Sequence, residues 1–209
     1  MQPTEGSGGT DRSIPKAPAR GLEPSLEREL IRKCLSGDAR FYEPLVRAYE
    51  RPALRVALGI LGNGDDAQDA LQEAFVKAYQ ALGRFDLQRR FEPWFYQILR
   101  NQCRDVLRSR ASRGIHEVAD PHVQRRPAGP EASPESQRQR RAARDLLWSA
   151  LERLDEGQRE ILVLKELKDL RYGEIAAILA IPEGTVASRL FNARRALKEV
   201  LEEMGATWP

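Results

Sequence analysis

The sequence predicts an all-α protein in which two small helical domains are joined by a flexible linker. Apolar residues recur three and four positions apart over residues 25–111 and again over 136–204, which is the period of amphipathic helices. Residues 112–135 lose this period and contain four prolines and two glycines, as linkers do. No segment gives a convincing strand pattern. Residues 1–24 are rich in Gly, Pro, Ser and Thr, and we expect them to form a disordered tail.

Short polar breaks divide the two helical regions into separate helices. In the first region the breaks fall at 36–38, 62–66 and 83–86, where Gly ends one helix and Asp is expected to cap the next. In the second region they fall near 154–155, 168–169 and 180–181. The last break separates a short helix from a longer one, which predicts a helix-turn-helix with Pro182 at the first helical position.

Composition excludes several classes of protein. The chain has 34 Lys plus Arg against 31 Asp plus Glu. Its net charge of +3 is too small to indicate a binding partner, so only local clusters of charge are informative. Cys34 and Cys103 lie far apart with no metal-ligand spacing, which favours a reduced, cytoplasmic compartment. No apolar run reaches the roughly 18 residues of a membrane span, so no membrane insertion is expected. We expect no metal, no cofactor and no catalytic residue, since His116 and His122 both fall in the linker.

The final helix predicts contact with DNA. Val186, Leu190, Ala193 and Leu197 share its apolar face. The opposite face combines hydrogen-bonding groups, cations and an aromatic ring, namely Ser188, Phe191, Asn192, Arg195 and Lys198. Such a set suits base edges, phosphates and thymine methyl groups in a major groove.

The first domain contains one acidic and one basic cluster. Residues 64–73 carry four acidic side chains and no basic one, whereas residues 89–113 carry seven arginines against two acidic residues. Arg100, Arg104 and Arg108 recur every four positions on one side of their helix, with Asn101 beside them. Like charges at that spacing repel, so we expect an external anion such as a DNA backbone to neutralise them.

Two long segments resemble the extracytoplasmic-function (ECF) sigma factors of the sigma-70 family. DDAQDALQEAFVKAYQALGRF at 65–85 and FEPWFYQILRNQCRDVLRSR at 91–110 are similar to region two of that family. LERLDEGQREILVLKELKDLRYGEIAAILAIPEGTVASRLFNARRAL at 151–197 is similar to region four. The resemblance implies two helical domains, association with core RNA polymerase and promoter-specific initiation of transcription.

The resemblance also assigns residues to three surfaces. Asp69, Gln72 and Glu73 match the side chains that dock on the β′ clamp helices of core polymerase, and region four would meet the β flap. Positions that recognise and open the minus-ten element correspond to Arg84, Phe85, Arg100, Asn101, Arg104 and Arg108. Positions that read the minus-thirty-five element correspond to Thr185, Ala187, Ser188, Phe191, Asn192 and Arg195. An anti-sigma factor is implied as a further partner.

Three departures from the family pattern matter. Ala187 and Asn192 stand where members often carry a basic residue, which removes two phosphate or base contacts. Gln97 and Ile98 replace the tryptophan pair that helps housekeeping sigma factors to open the duplex. The segment 112–135 is too short and too poor in apolar residues for region three, so that domain is expected to be absent.

Linker length limits how one chain reaches two promoter elements. About 24 residues span at most roughly 80 Å when extended and about 27 Å when relaxed. Elements one and a half to two turns of DNA apart are separated by about 50–70 Å. Polymerase must therefore hold the domains apart, and the free protein should bind promoters weakly.

Two other functions are weighed against this one. A stand-alone helix-turn-helix regulator would bind an inverted repeat without polymerase, which would leave Asp69, Gln72 and Glu73 without a role. An enzyme acting on DNA would need a carboxylate cluster for metal ions or a Gly-rich phosphate loop, and the sequence has neither.

Overall fold

The computed structural model describes residues 22–113 and 134–206, and within these ranges the regular secondary structure is entirely helical. The first domain comprises α1 (Pro24–Leu35), α2 (Tyr42–Leu61), α3 (Gly64–Ala81) and α4 (Phe91–Arg113). The second comprises α5 (Pro134–Glu152), α6 (Glu156–Leu162), α7 (Tyr172–Leu179) and α8 (Glu183–Glu203). Short 3₁₀ turns lie at Ala39–Phe41 and Leu82–Arg84, and α6 continues into a π-helical turn at Val163–Leu167. The predicted all-α class with two helical domains is confirmed for the described residues.

Local capping groups fix several helix boundaries near the predicted breaks. Gly62 ends α2 in the left-handed conformation with φ of 69°, where a glycine carries no steric penalty. The side chain of Asn63 then accepts a hydrogen bond from Asp66 N at 3.1 Å and caps α3. The prediction of an aspartate cap was wrong at this break, because the asparagine precedes both aspartates and has the extended backbone that a cap requires.

Two further boundaries differ slightly from prediction. Pro182 has an extended backbone with ψ of 139°, so it is the N-cap of α8 and the helix begins at Glu183. Helices α4 and α5 reach Arg113 and Pro134, so the outermost residues of the predicted linker are helical. The rest of that linker, with its two histidines, and most of the predicted N-terminal tail lie outside the described residues.

Aromatic stacking organises the core of the first domain. Phe95 is fully buried on α4, and its ring centroid lies 4.5 Å from that of Phe75 on α3 and 5.8 Å from that of Phe91. Tyr49 of α2 closes the cluster, 6.2 Å from Phe95. These rings join three helices, since each helix contributes to one continuous apolar interior.

The second domain contains the predicted helix-turn-helix. Ala180 ends α7 in the left-handed conformation with φ of 53°, which makes the tight turn into α8. Ile175 and Ile178 of α7 pack with Val186 and Leu190 of α8 in the domain core. Helices α5 and α6 also pack on α8, so its apolar face is covered and its opposite face remains exposed.

The two domains pack against each other. Helix α4 contacts α7, and α2 contacts both α6 and the π-helical turn. A Cβ placed on Gly59 of α2 would lie 2.8 and 2.9 Å from the two methyl carbons of Val163, so the helices approach as closely as a glycine allows. The sequence predicted separate bodies on a tether, because hydrophobic periodicity does not report a contact between residues about a hundred positions apart.

Candidate functional site

The outward face of α8 presents the predicted base-reading set. Phe191 is 67% exposed, an unusual position for a large apolar ring. Around it Ala187, Ser188, Asn192 and Arg195 are exposed as well, while Thr185 is half-buried near the start of the helix. The Ser188 hydroxyl donates to Thr185 O at 3.0 Å, an exchangeable local hydrogen bond. The sequence therefore predicted correctly which face of α8 is exposed.

The positive charge of this face is partly balanced within its own helix. Arg195 Nε lies 3.6 Å from Glu199 Oε1, and Lys198 Nζ lies 3.6 Å from Glu202 Oε1. All four side chains are more than half exposed, so these pairs contribute little to stability. The cations stay available to phosphates, since a surface pair at this distance is easily exchanged.

One arginine on α8 has a partner that the sequence did not predict. Arg194 donates from Nε and Nη2 to Glu166 Oε1 at 3.0 and 2.6 Å, and this pairing raises the pKa of Arg194. Glu166 lies in the π-helical turn, 28 residues earlier in the chain. The contact tethers α8 to that turn, and no sequence periodicity could have indicated it.

Helix α3 exposes an acidic face bordered by apolar side chains. Asp69, Gln72 and Glu73 are all exposed, and Glu73 pairs only loosely with Lys77 at 3.9 Å. Val76 and Tyr79 continue this surface along the helix and are 49% and 42% exposed. Both belong to the helical period of apolar residues over 25–111, which does not indicate their exposure. A surface of acids beside exposed apolar groups is typical of a protein-docking site.

The predicted minus-ten group divides into exposed and buried members. Arg84 is exposed, but Phe85 is only 7% exposed and packs with Trp94 and Phe91 at centroid distances of 4.8 and 6.0 Å. Phe85 is therefore a core residue in this structure, and its predicted contact with DNA stays a prediction. Its ring anchors the start of the loop, because it packs against Trp94 and Phe91 of α4.

The loop at 85–90 is held at both ends. Asp86 Oδ1 accepts from Gln88 N at 2.9 Å, which forms a local turn. At the far end Arg90 Nε donates to Glu27 Oε2 at 3.3 Å, and Glu27 of α1 is only 2% exposed. Tyr49 donates to the other oxygen of Glu27, so this buried carboxylate has two partners. The loop thus receives a fixed anchor from α1.

The arginine row of α4 is neutralised inside the protein, contrary to prediction. Arg100 Nε donates to Glu160 Oε2 at 2.9 Å, and Arg104 Nε lies 3.0 Å from Glu160 Oε1 and also contacts Glu156. Farther along, Arg108 pairs at 3.1 Å with Asp105 on its own helix and stays 72% exposed, and Asn101 is exposed. The anion that the spacing required is supplied by α6, so an external anion is not needed in this arrangement.

A cleft of about 270 Å³ lies where the loop and α4 face α7. Arg89, Arg90, Trp94 and Gln97 line it from the first domain, and Gly173 and Glu174 are among its lining residues from the second. The family resemblance places Gln97 at one of the two tryptophan positions of housekeeping sigma factors. It therefore faces an open space rather than the core.

Both cysteine thiols are buried in the described ranges. Cys103 is fully buried in the core, and this burial raises the pKa of its thiol to about 12. Burial also raises the pKa of Cys34. Among residues 22–113 and 134–206, no three His, Cys, Asp or Glu side chains converge as metal ligands would. Of the described helices, none has the length and apolarity needed to cross a bilayer.

Family comparison matches both domains. Residues 45–113 match Sigma-70 region 2, and residues 144–197 match Sigma-70 region 4. The chain is 31% identical over 198 residues to the RNA polymerase sigma-H factor of Pseudomonas aeruginosa, covering 88% of this chain and 97% of that protein. It is also 31% identical over 187 residues to the ECF RNA polymerase sigma-E factor of Escherichia coli, covering 87% of this chain and 97% of that protein.

Solved structures share the fold. CnrH in complex with the cytosolic domain of CnrY matches with a TM-score of 0.64 and 27% identity, over 85% of this chain and 98% of that one. The sigma factor RpoE of Bartonella quintana, in complex with the anti-sigma factor NepR, matches with a TM-score of 0.56 and 26% identity, over 81% and 98%. The fold and the paired helical domains define a sigma factor. This chain belongs to the sigma-70 family and is of the ECF type.

Proposed function

We propose that this protein binds core RNA polymerase and directs it to specific promoters. The observation that carries this proposal is that one chain exposes an acidic, partly apolar face on α3 and a face of polar, cationic and aromatic side chains on α8, within a match to both sigma regions. A stand-alone regulator would need only α8. The exposed acidic and apolar side chains of α3 suit a protein-docking site, and this supports the sigma function over the regulator.

In this proposal each surface has one partner. The α3 face, with Asp69, Gln72 and Glu73, docks on the β′ clamp helices, and the second domain meets the β flap. The α8 face reads the minus-thirty-five element through Thr185, Ala187, Ser188, Phe191, Asn192 and Arg195. Arg84, Arg100, Asn101, Arg104 and Arg108 hold the minus-ten strand, while Phe85 supports the loop from inside.

Promoter opening then follows from capture rather than from chemistry in this chain. A base of the minus-ten strand leaves the stack at a cost of a few kcal/mol. Phosphate contacts along α4 and a base-binding loop at 85–90 offset that cost. The chain itself is not an enzyme in this proposal, and it acts in the cytoplasm where the polymerase works. An anti-sigma factor is a further proposed partner, as for the relatives solved in such complexes.

A transcription assay tests the function directly. Purified core polymerase is incubated with a genomic fragment library, with and without this protein, and transcription starts are mapped. We expect new starts preceded by a shared pair of sequence elements. If no new starts arise while the protein alone binds an inverted repeat in duplex DNA, the protein is a stand-alone regulator and the proposed sigma function is wrong.

Arg104→Ala should weaken holoenzyme binding to every promoter to a similar degree. Because a phosphate contact releases counterions, its loss should reduce the slope of log affinity against log salt concentration by about 1. Arg51→Ala, which removes the same charge from an exposed site on α2, is the matched control. An unchanged slope for Arg104→Ala would remove this residue from the phosphate contacts.

Asn192→Arg should change the minus-thirty-five preference and leave core binding intact. The new guanidinium can donate two hydrogen bonds to a guanine edge, a contact worth about 1–3 kcal/mol of discrimination. Selection from promoters randomised at the minus-thirty-five element measures the change. Ser149→Arg adds the same charge on an exposed site of α5 and should select the parental sequences. If Asn192→Arg and the parent select the same promoter sequences, Asn192 does not belong to the surface that reads the minus-thirty-five element.

A further inference from the structure

Two arginines proposed to hold the minus-ten strand are occupied by carboxylates of the second domain. Arg100 is 12% exposed and Glu160 1%, with 2.9 Å between Nε and Oε2. Arg104 meets both Glu156 and Glu160. We refer to these four side chains as the interdomain clamp. A DNA phosphate would need the same guanidinium N–H groups, so DNA and the clamp carboxylates compete for one surface.

We infer that the packed arrangement is a self-inhibited form, in which Glu156 and Glu160 take the place of DNA phosphates on α4 and the domains must separate before the minus-ten strand binds. The inference rests on the proposed DNA role of Arg100 and Arg104. Two carboxylates of α6 and an external polyanion compete for the same arginines of α4.

A second ion pair fixes the same packing near the start of α4. Lys168 Nζ lies 2.6 Å from Glu92 Oε1, and both side chains are 7% exposed. The ammonium also lies 5.6 Å from the centroid of the Tyr96 ring. With Tyr96 between them, this pair and the clamp contact α4 from Glu92 to Arg104, so the second domain covers one side of the helix over about three turns.

An apolar contact lies beside the charged ones. Gly59 of α2 faces Val163, which is 2% exposed, and Leu167 lies next to it. Arg159 adds a hydrogen bond from Nη1 to Ile60 O at 3.1 Å. The packing is therefore specific in position, since a single methyl group at Gly59 would meet two carbon atoms closer than van der Waals contact permits.

The energetics suit a reversible contact. Burial raises the pKa of Glu160 even though Arg100 and Arg104 act to lower it, so desolvation outweighs pairing. Buried ion pairs of this kind orient their partners and add little net stability. When a phosphate replaces Glu160, the arginines keep an anionic partner and the glutamate returns to water. The apparent affinity for DNA is then reduced by the fraction of molecules that are open.

Gly59→Ala tests the inference without altering a charge. The new methyl group should force the domains apart, while α2 keeps its helix because alanine favours helix over glycine. Small-angle scattering of the full chain should show a larger radius of gyration. Fluorescence anisotropy with a single-stranded DNA of random sequence, about 20 nucleotides long, should show roughly 10-fold tighter binding by the free protein.

Three variants control for other causes. Gly157→Ala makes the same change at an exposed position of α6, where the added carbon meets only Asp155 at 3.4 Å, and should change neither measurement. Gly59→Ala with Val163→Ala removes the clashing methyl groups and should return both values toward the parent. Gly59→Ala with Arg104→Ala should open the protein without the gain in DNA affinity, because the exposed guanidinium is then missing.

The double variant Glu156→Gln and Glu160→Gln removes the competing charges without a clash and should also bind the DNA about 10-fold more tightly. A larger radius of gyration for Gly59→Ala with unchanged DNA affinity would overturn the inference. Unchanged affinity for the glutamine double variant would overturn it as well. Mapped transcription starts decide the proposed function separately, since an open protein that binds single strands through Arg104 yet directs no starts would refute only that function.

Discussion

Replacing both Asp69 and Glu73 by lysine is expected to lower the affinity of this protein for core RNA polymerase by about 100-fold, which corresponds to about 2.7 kcal/mol. Both side chains are exposed on α3, and Glu73 has only a loose partner in Lys77. Charge reversal replaces attraction by repulsion at a docking surface, and such changes cost several kcal/mol when the partner charges are complementary. The effect should weaken with added salt, because exposed charges are screened.

The measurement is equilibrium binding of the fluorescently labelled protein to purified core polymerase at two salt concentrations. Glu50→Lys, at an exposed position of α2 outside this face, is the matched control and should bind like the parent. Val76→Ala and Tyr79→Ala should weaken binding too if the apolar border belongs to the same surface. Equal affinity of the Asp69 and Glu73 double variant and the parent would show that the polymerase docks elsewhere.

Phe95→Ala is expected to lower the free energy of unfolding by about 3–5 kcal/mol, the largest stability effect that we expect from a single substitution. Phe95 is fully buried, and its ring stacks on Phe75 at 4.5 Å and on Phe91 at 5.8 Å. Alanine would leave a cavity between α3 and α4 that the neighbouring rings can fill only in part. A first domain weakened this far would also present its polymerase and minus-ten surfaces poorly.

Urea unfolding followed by circular dichroism measures this loss. Phe191→Ala is the matched control, since it makes the same change at a position that is 67% exposed on α8 and should alter stability by less than about 0.5 kcal/mol. If Phe95→Ala lowers the free energy of unfolding as little as Phe191→Ala does, the aromatic cluster contributes little to the stability of the core.

Features fixed by neighbours in the chain were predictable, and those fixed by distant partners were not. The breaks at Gly62 and Ala180, the buried Cys103 and the exposed face around Phe191 follow from local capping and from the period of a helix. The same period placed Val76 among the apolar positions, but α3 meets α2 and α4 with only part of its surface and leaves Val76 exposed.

Distant partners also explain why the surroundings of some predicted site residues differ from expectation. Phe85 follows a glycine and an arginine in a polar break, and only the packed structure shows that Trp94 and Phe91 enclose it. Arg100 and Arg104 were correctly placed on one side of α4, yet their partners lie 60 and 52 residues away along the chain. Complementary charges at such separations leave no mark on composition or periodicity.

The hydrogen bond between Glu27 and Arg90 determines where an isolated first domain must begin in the sequence. Glu27 belongs to α1, which precedes the family match that begins at residue 45. A fragment cut at that boundary would expose Tyr49, release Arg90 and lose the carbonyl of Leu22, which accepts from Arg90 Nη2 at 3.5 Å. Recombinant fragments meant for structural or binding work should therefore retain the chain from Leu22 onward.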